Sequence, residues 1–375
     1  MSACLSQEAP GEEGLVDEAK SPISFHSSTF KAASKTPVID GNNINTFKVC
    51  ANLPEPSKTA VMQTIQGKHG FNYFEDIGVL RDQDLWEYTP NVYWPNKTDL
   101  LSIYAYAPAG SVNVLGFRSD MNAASPTDNA VVDYQVPSKP GSETMEEEGG
   151  KEPEDFLIAV ARRAQEDNRP VQLYFRHALA MVAFAARNVT DNIYVTIEKV
   201  QLIHLNTHSS LDITQNFNRD SIYWAPADEL ADYCLGMPLQ DDGSYALSLL
   251  PEGEQAPYVP LTAPSEQMPV MPQGLKVGNT KAYILKQGEK EPEEPGILVT
   301  YHASSPQQLI APPGTRAYYP FPALYKAPNY GGEPDASGKA NDAFALQMGK
   351  SYLFTFEFSG SGAPRINFSS VPISM

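Results

Sequence analysis

Leu85-Trp86-Glu87-Tyr88, then Tyr93-Trp94-Pro95, then Ile103-Tyr104-Ala105-Tyr106-Ala107-Pro108 is the stretch of this chain whose reading decides the fold. It holds Trp86 and Trp94 of the chain's 3 Trp, with Tyr88, Tyr93, Tyr104 and Tyr106 beside them. The alternation over residues 101–107 is that of a half-buried strand entering a sandwich core.

Outward from that stretch the style persists. The chain's 32 Pro and 25 Gly punctuate short runs of Tyr, Phe, Val and Ile, which predicts many short strands and an all-β class. Strands are expected at 23–25, 47–51, 171–175, 181–185, 194–205, 245–250, 283–285, 297–302 and 352–358. In 194–205, strict alternation puts Val195, Ile197, Lys199, Gln201, Ile203 and Leu205 on one face. Tyr194, Thr196, Glu198, Val200, Leu202 and His204 fall on the other. Residues 156–164 fit two helical turns or an alternating strand equally well.

The 375 residues exceed one ordinary sandwich, and at about 150 per domain they suggest two. The polar break Asn216-Phe217-Asn218-Arg219-Asp220 puts the expected boundary between 22–217 and 218–375. Residues 1–21 are acidic, lack aromatics and read as a flexible tether. Twenty-seven basic against 45 acidic residues leave a net charge of −18, so nucleic acid is not an expected partner, because its phosphates would be repelled. The acidic runs at 8–18, 143–155 and 289–294 read as solvated loops.

Cys4, Cys50 and Cys234 have no metal-like or CxxC spacing and cannot form a disulfide framework. Cys50 alternates with Lys48 and reads as a small core residue. Cys4 follows Ser2 and Ala3, as the acylated cysteine of a bacterial lipoprotein follows small residues. Met1 stands where leucine is usual in that motif and no apolar stretch precedes it, so an ordinary cysteine in a solvated tail is the alternative.

Catalytic signals are weak. No GxSxG, P-loop, HExxH or GxGxxG occurs, and no cofactor or metal is expected. His204 and His208 would lie about 13 Å apart along a strand, too far for a metal pair. His177 reads as a hydrogen-bonded structural residue. A dispersed carboxylate pair acting on a glycan is the weakest reading, and an enzyme is not expected. Tyr318, Tyr319, Phe321, Tyr325 and Tyr330, in a Pro/Gly-rich run, read either as an exposed contact patch for a host protein or glycan or as loop packing.

The tryptophan strand, the "YWP" turn and the strand ending in "YAYAP" together resemble the fimbrillins, the pilin subunits of Bacteroidales surface fimbriae. The resemblance continues in order through Glu154-Asp155-Phe156-Leu157-Ile158-Ala159, then Val171-Gln172-Leu173-Tyr174-Phe175-Arg176-His177-Ala178-Leu179-Ala180. It goes on through 193–202, Met271-Pro272-Gln273 and Gly349-Lys350-Ser351-Tyr352. It implies two transthyretin-like β-sandwiches in series and a non-enzymatic subunit, exported as a lipoprotein to the outer membrane and the cell-surface fimbrium. Its partners would be other fimbrial subunits, in a homo- or hetero-polymer.

In such a subunit a protease removes the first strand, here Ile23 and Phe25 with their flanks, and a neighbour's strand fills the groove. The donor would be the tail holding Ile366, Phe368, Val371 and Ile373, with a slip near Ser369-Ser370 restoring one apolar face. The alternative is that this tail is the last strand of its own domain, paired with 351–358. The best-known relatives are cut after an arginine between the first two strands. Here the first arginine is Arg81, and Lys31 and Lys35 occupy the expected loop. The resemblance therefore also allows an untrimmed anchor subunit, and an adhesin on the same scaffold is the alternative function.

Overall fold

A computed structural model describes residues 21–29, 44–52, 72–82, 85–95, 100–122, 125–137, 154–165, 169–214, 223–225, 230–235, 246–261, 267–276, 282–321, 343–360 and 362–372. Among them the chain is all-β, in five sheets. The largest has seven strands in the order β1 (Phe25–Thr29), β9 (Val171–His177), β8 (Leu157–Arg163), β5 (Leu101–Ala107), β2 (Thr46–Asn52), β3 (Asn72–Asp82) and β4 (Leu85–Tyr88). A second sheet orders β13 (Tyr223–Trp224), β12 (His208–Thr214), β7 (Ser125–Gln135) and β6 (Val114–Asn122).

In the third sheet, β10 (Ala180–Asn188) runs parallel to β23 (Lys350–Phe358), with β24 (Arg365–Pro372) antiparallel beyond it. The other side of β10 takes β16 (Val259–Pro260) and β17 (Met268–Val270). The fourth sheet centres on β11 (Tyr194–Asn206) and β20 (Gly296–Ser304). β14 (Leu230–Cys234) and β15 (Leu247–Leu249) join β11, while β21 (Leu309–Pro320) and β19 (Tyr283–Ile284) follow β20. The fifth pairs β18 (Gln273–Lys276) with β22 (Ala343–Leu346).

Strand pairing crosses the boundary expected at 217/218. β10 and β11 precede it, yet pair with β23 and β20; β12 turns back to β7 in the first half. A polar loop marks where an apolar run stops, but long-range pairing decides which sheet that run joins.

β5 differs from the half-buried strand expected: all seven of its residues are buried. It is central in the seven-stranded sheet, with β8 and β2 on either side. Leu101, Ile103, Ala105 and Ala107 enter one core, and Tyr104 and Tyr106 enter another. A sheet covered on both faces needs apolar residues at both parities, which is why the strand reads as a nearly continuous apolar run. The ambiguous 156–164 segment is strand β8.

β11 corrects the strict alternation. Its register with β20 shifts between Ile197 and Lys199, and with β14 between Leu202 and Leu205, where His204 has φ 56°. Each bulge spends an extra residue and flips the parity. Val195, Ile197, Val200, Leu202 and Leu205 thereby share one core, while Ile203 joins Leu285, Leu298 and Tyr318.

Candidate functional site

The seven-stranded sheet curls so that its two edges converge on the segment 21–29. On one side Phe25–Thr29 runs parallel to β9, in the register Phe25↔Val171 through Thr29↔Phe175. Val171 N donates to Ser24 O at 2.7 Å. On the other side the backbone just beyond β4 closes in: Ile23 N donates to Val92 O at 2.9 Å and Trp94 N donates to Ser21 O at 3.1 Å. Pro22 bridges Tyr93 antiparallel. The segment is thus a stave held by both rims, and it closes the sheet around one apolar interior.

That interior explains why the stave is apolar at alternate positions. Ile23 is 0% exposed and Phe25 4%. Phe25 meets Phe47 edge to face with ring centroids 6.0 Å apart, and Tyr88 at 5.5 Å. Phe47 in turn packs on Trp86 and Phe175. Val92, Trp94, Leu101, Ile103, Val171 and Leu173 belong to the same cluster. The third inward position is Ser27, also buried, whose Oγ has no hydrogen-bond partner among the described residues. The slot asks in sequence for a large aliphatic, an aromatic and a small side chain. On the opposite parity Pro22 and His26 are exposed.

Two tyrosines set the distal rim. Tyr73 donates its hydroxyl to Tyr93 O at 2.6 Å, and burial pushes its phenol up to about 12. Tyr88 donates to the Ile23 carbonyl, and burial raises its phenol too. Both phenols stay protonated at neutral pH and act as hydrogen-bond donors. The "YWP" turn signalled this rim in the sequence, but only as a fold marker. Its partnership with residues 21–23 is a long-range contact that spacing does not reveal.

Ile23 and Phe25 therefore come together with a seat that fits them. Cys4, Lys31, Lys35, Tyr325, Tyr330 and Ile373 lie outside the described residues. The contact patch is corrected at three positions: Tyr318 is 0%, Tyr319 1% and Phe321 1% exposed. β21 extends to Pro320 and pairs with β20, so these rings point into cores instead of lying on a loop. Tyr318 lies against Gly296, and Tyr319 donates its hydroxyl to Pro364 O at 2.6 Å. The tail is strand β24, antiparallel to β23 from Lys350↔Pro372 to Glu357↔Arg365. The register carries Ile366, Phe368 and Val371 without a shift at Ser369-Ser370, so the slip expected there is absent from this pairing.

His177, read in the sequence as a hydrogen-bonded structural residue, and the adjacent acids Glu154 and Asp155 all take part in side-chain hydrogen bonds. His177 Nδ1 lies 2.8 Å from Asp155 Oδ1, with the imidazole buried. Glu154 accepts from Asn113 Nδ2 at 3.0 Å and from Ser111 Oγ, and burial raises its carboxyl.

A family model described as fimbrillin-like matches residues 39–373. A crystal structure of a fimbrial protein from Bacteroides vulgatus superposes with a TM-score of 0.56 at 10% identity, covering 94% of this chain and 99% of that one. Structures of candidate cell adhesion proteins are also similar. One from Parabacteroides distasonis has a TM-score of 0.47 at 12% identity over 95% of this chain and 97% of its own. One from Bacteroides ovatus has 0.46 at 13% over 95% and 99%. Comparison with curated proteins gives no match.

Proposed function

The chain belongs to the fimbrillin-like family, and from that premise we propose that it is a structural, non-catalytic subunit of a bacterial surface fimbrium whose assembly site is the seat of residues 21–29. The observation that carries this reading is the stave itself. It is bonded to both rims, inserts Ile23 and Phe25 into the core, and is followed in sequence by a segment holding Lys31 and Lys35. Cutting that segment would free the stave to leave. The seat would then present an unpaired β9 edge above an empty apolar slot, two costs that a strand from another chain removes together.

Export as a lipoprotein acylated at Cys4, residence at the outer membrane and removal of the first strand by a trypsin-like protease belong to this proposal. The small residues at 2 and 3 and the lysines at 31 and 35 support them. A subunit that keeps its stave would be capped at this end and would suit a membrane anchor.

The test is limited trypsin treatment of the folded chain, followed by electron microscopy. Cleavage at Lys31 or Lys35 should convert monomers into filaments. Filaments formed equally well by uncut chain, or a cut chain that remains monomeric at high concentration, would count against the seat as the assembly site.

A further inference from the structure

The stave enters its seat beside a cleft. Trp94, Arg163, Ala164, Arg169, Pro170 and Val171 line about 200 Å³ of space open to solvent. Two of these residues hold the stave by its backbone: Trp94 N donates to Ser21 O at 3.1 Å and Val171 N to Ser24 O at 2.7 Å. β1 runs parallel to β9 with Phe25 opposite Val171, so the chain leading to Phe25 comes in from the end of β9 where Pro170 and Arg169 stand. Arg169 is exposed and Arg163 half-buried.

The sequence that leads to Ser21 is acidic. Glu12, Glu13, Asp17 and Glu18 precede it, with Lys20 as the one basic residue before Ser21. Residues 1–20 lie outside the described residues. A net charge of −18 repels such a segment from most of the surface, and Arg163 with Arg169 is a local exception at the point from which the segment sets out. Asp17 and Glu18 stand four and three residues before Ser21, about 10–14 Å of extended chain.

We infer that this cleft is the docking site of the acidic segment 12–18 of the same chain, with the carboxylates of Asp17 and Glu18 on the guanidinium groups of Arg163 and Arg169. Each arginine also has a contact within the fold. A guanidinium carries five donors in a planar fork, so one such group serves more than one carboxylate. Glu166 and Asp167, between the two arginines in sequence, are the competing acids.

The docking gives the stave a second hold, upstream of its first backbone bond. A cut after Lys31 or Lys35 leaves that hold in place, whereas a cut after Lys20 separates it from the stave. Exposed ion pairs are individually weak, so the segment acts as a latch that slows departure of the trimmed stave without preventing it. This consequence rests on the strand-exchange reading; the docking itself does not.

Two experiments on the full chain test the inference. In the first, Arg169→Lys places an amine in the cleft, a carbodiimide joins it to any carboxylate in contact, and mass spectrometry maps the bond. Bonds from position 169 to Asp17 or Glu18 of the same chain are expected. Adding Arg163→Gln, or raising the sodium chloride concentration, should cut their yield about threefold or more. Bonds confined to Glu166 or Asp167, bonds to a second copy, or a yield indifferent to Arg163 and to salt would overturn the docking.

The second experiment reads the latch. A recognition site for a sequence-specific protease, placed between residues 30 and 43, lets the chain be cut with Lys20 intact, and excess peptide of residues 21–29 occupies the seat as the stave fragment leaves. Departure should be about threefold faster or more with Arg163→Gln and Arg169→Gln together, and equally faster with Asp17→Asn and Glu18→Gln. All four changes should add nothing beyond either pair, since each pair removes the same contact, and Arg169→Lys alone should keep most of the hold. Rates unmoved by either pair, or effects that multiply, would overturn the inference. If the fragment stays bound in every chain, the strand-exchange reading fails by itself, and the cross-link map still decides the docking.

Discussion

Phe25 lies edge to face on Phe47, with ring centroids 6.0 Å apart and 87° between the planes. One ring belongs to the closing stave and the other to β2, deep in the same sheet, so the stave is anchored by the core as well as by its hydrogen bonds. Aromatic pairs in this geometry contribute about 0.5–1.5 kcal/mol beyond the area they bury.

Phe25→Ala should therefore destabilise the uncut chain by about 3–5 kcal/mol, the range for emptying a buried aromatic site. A lowered urea midpoint with an unchanged slope would be the expected result. A change under 1 kcal/mol would mean that the slot collapses without the ring or was never filled.

Tyr319→Ser and Phe321→Ser should each cost about 3 kcal/mol or more, because both rings are buried and the Tyr319 hydroxyl bonds Pro364 O. A melting temperature that stayed put while adhesion fell would return these residues to the surface role their loop-like sequence suggests.

Gly296→Ala tests how tightly β21 is seated. A Cβ there would lie 2.3 Å from Tyr318 Cε2 and 2.7 Å from the Tyr319 carbonyl oxygen, and the backbone oxygen cannot swing away. Overpacking of this kind costs about 1–3 kcal/mol. Calorimetry on the single variant should show the loss, and an unchanged melting temperature would mean that β20 and β21 separate easily.

The distal rim should weaken in alkali. Tyr73 has its folded-state phenol raised from 10.0 to about 12, chiefly by burial. Its contribution is thus complete below pH 10 and is lost as pH rises through about 12, since the unfolded chain ionises first. Tyr73→Phe should flatten the decline of stability between pH 10 and 12, while costing about 1 kcal/mol at neutral pH for the lost bond to Tyr93 O. An identical alkaline slope in the variant would show that other tyrosines carry the whole effect.

The sequence disclosed the class and the strands more fully than their partners. Alternation and turn residues located β2, β9, β10, β20 and β23, because period-2 burial is a local property. β5 was misjudged as half-buried because its small residues, Ala105 and Ala107, look undemanding until a second layer covers them. The parity of β11 could be read only once its two bulges were visible, since a bulge is stabilised by neighbours that are distant in sequence. Of the site, Ile23 and Phe25 were legible as a short apolar strand. The rim at Val92 and Trp94 was not, because nothing local ties residue 23 to residue 92. The aromatic run near Tyr319 misled for a related reason: Pro and Gly suggested a loop, but Pro320 is itself buried as the last residue of β21, paired opposite Gly296 of β20, a partner distant in sequence.

The central claim is that polymer growth proceeds through the seat of residues 21–29. Its most direct test is to cut the chain between residues 30 and 43 and follow filament growth by light scattering with excess synthetic peptide of residues 21–29. The peptide should refill the seat and halt growth, and the same peptide carrying Ile23→Asp and Phe25→Asp should leave growth untouched, since a buried unpaired carboxylate costs several kcal/mol. Growth at the same rate with and without the wild-type peptide would contradict the account.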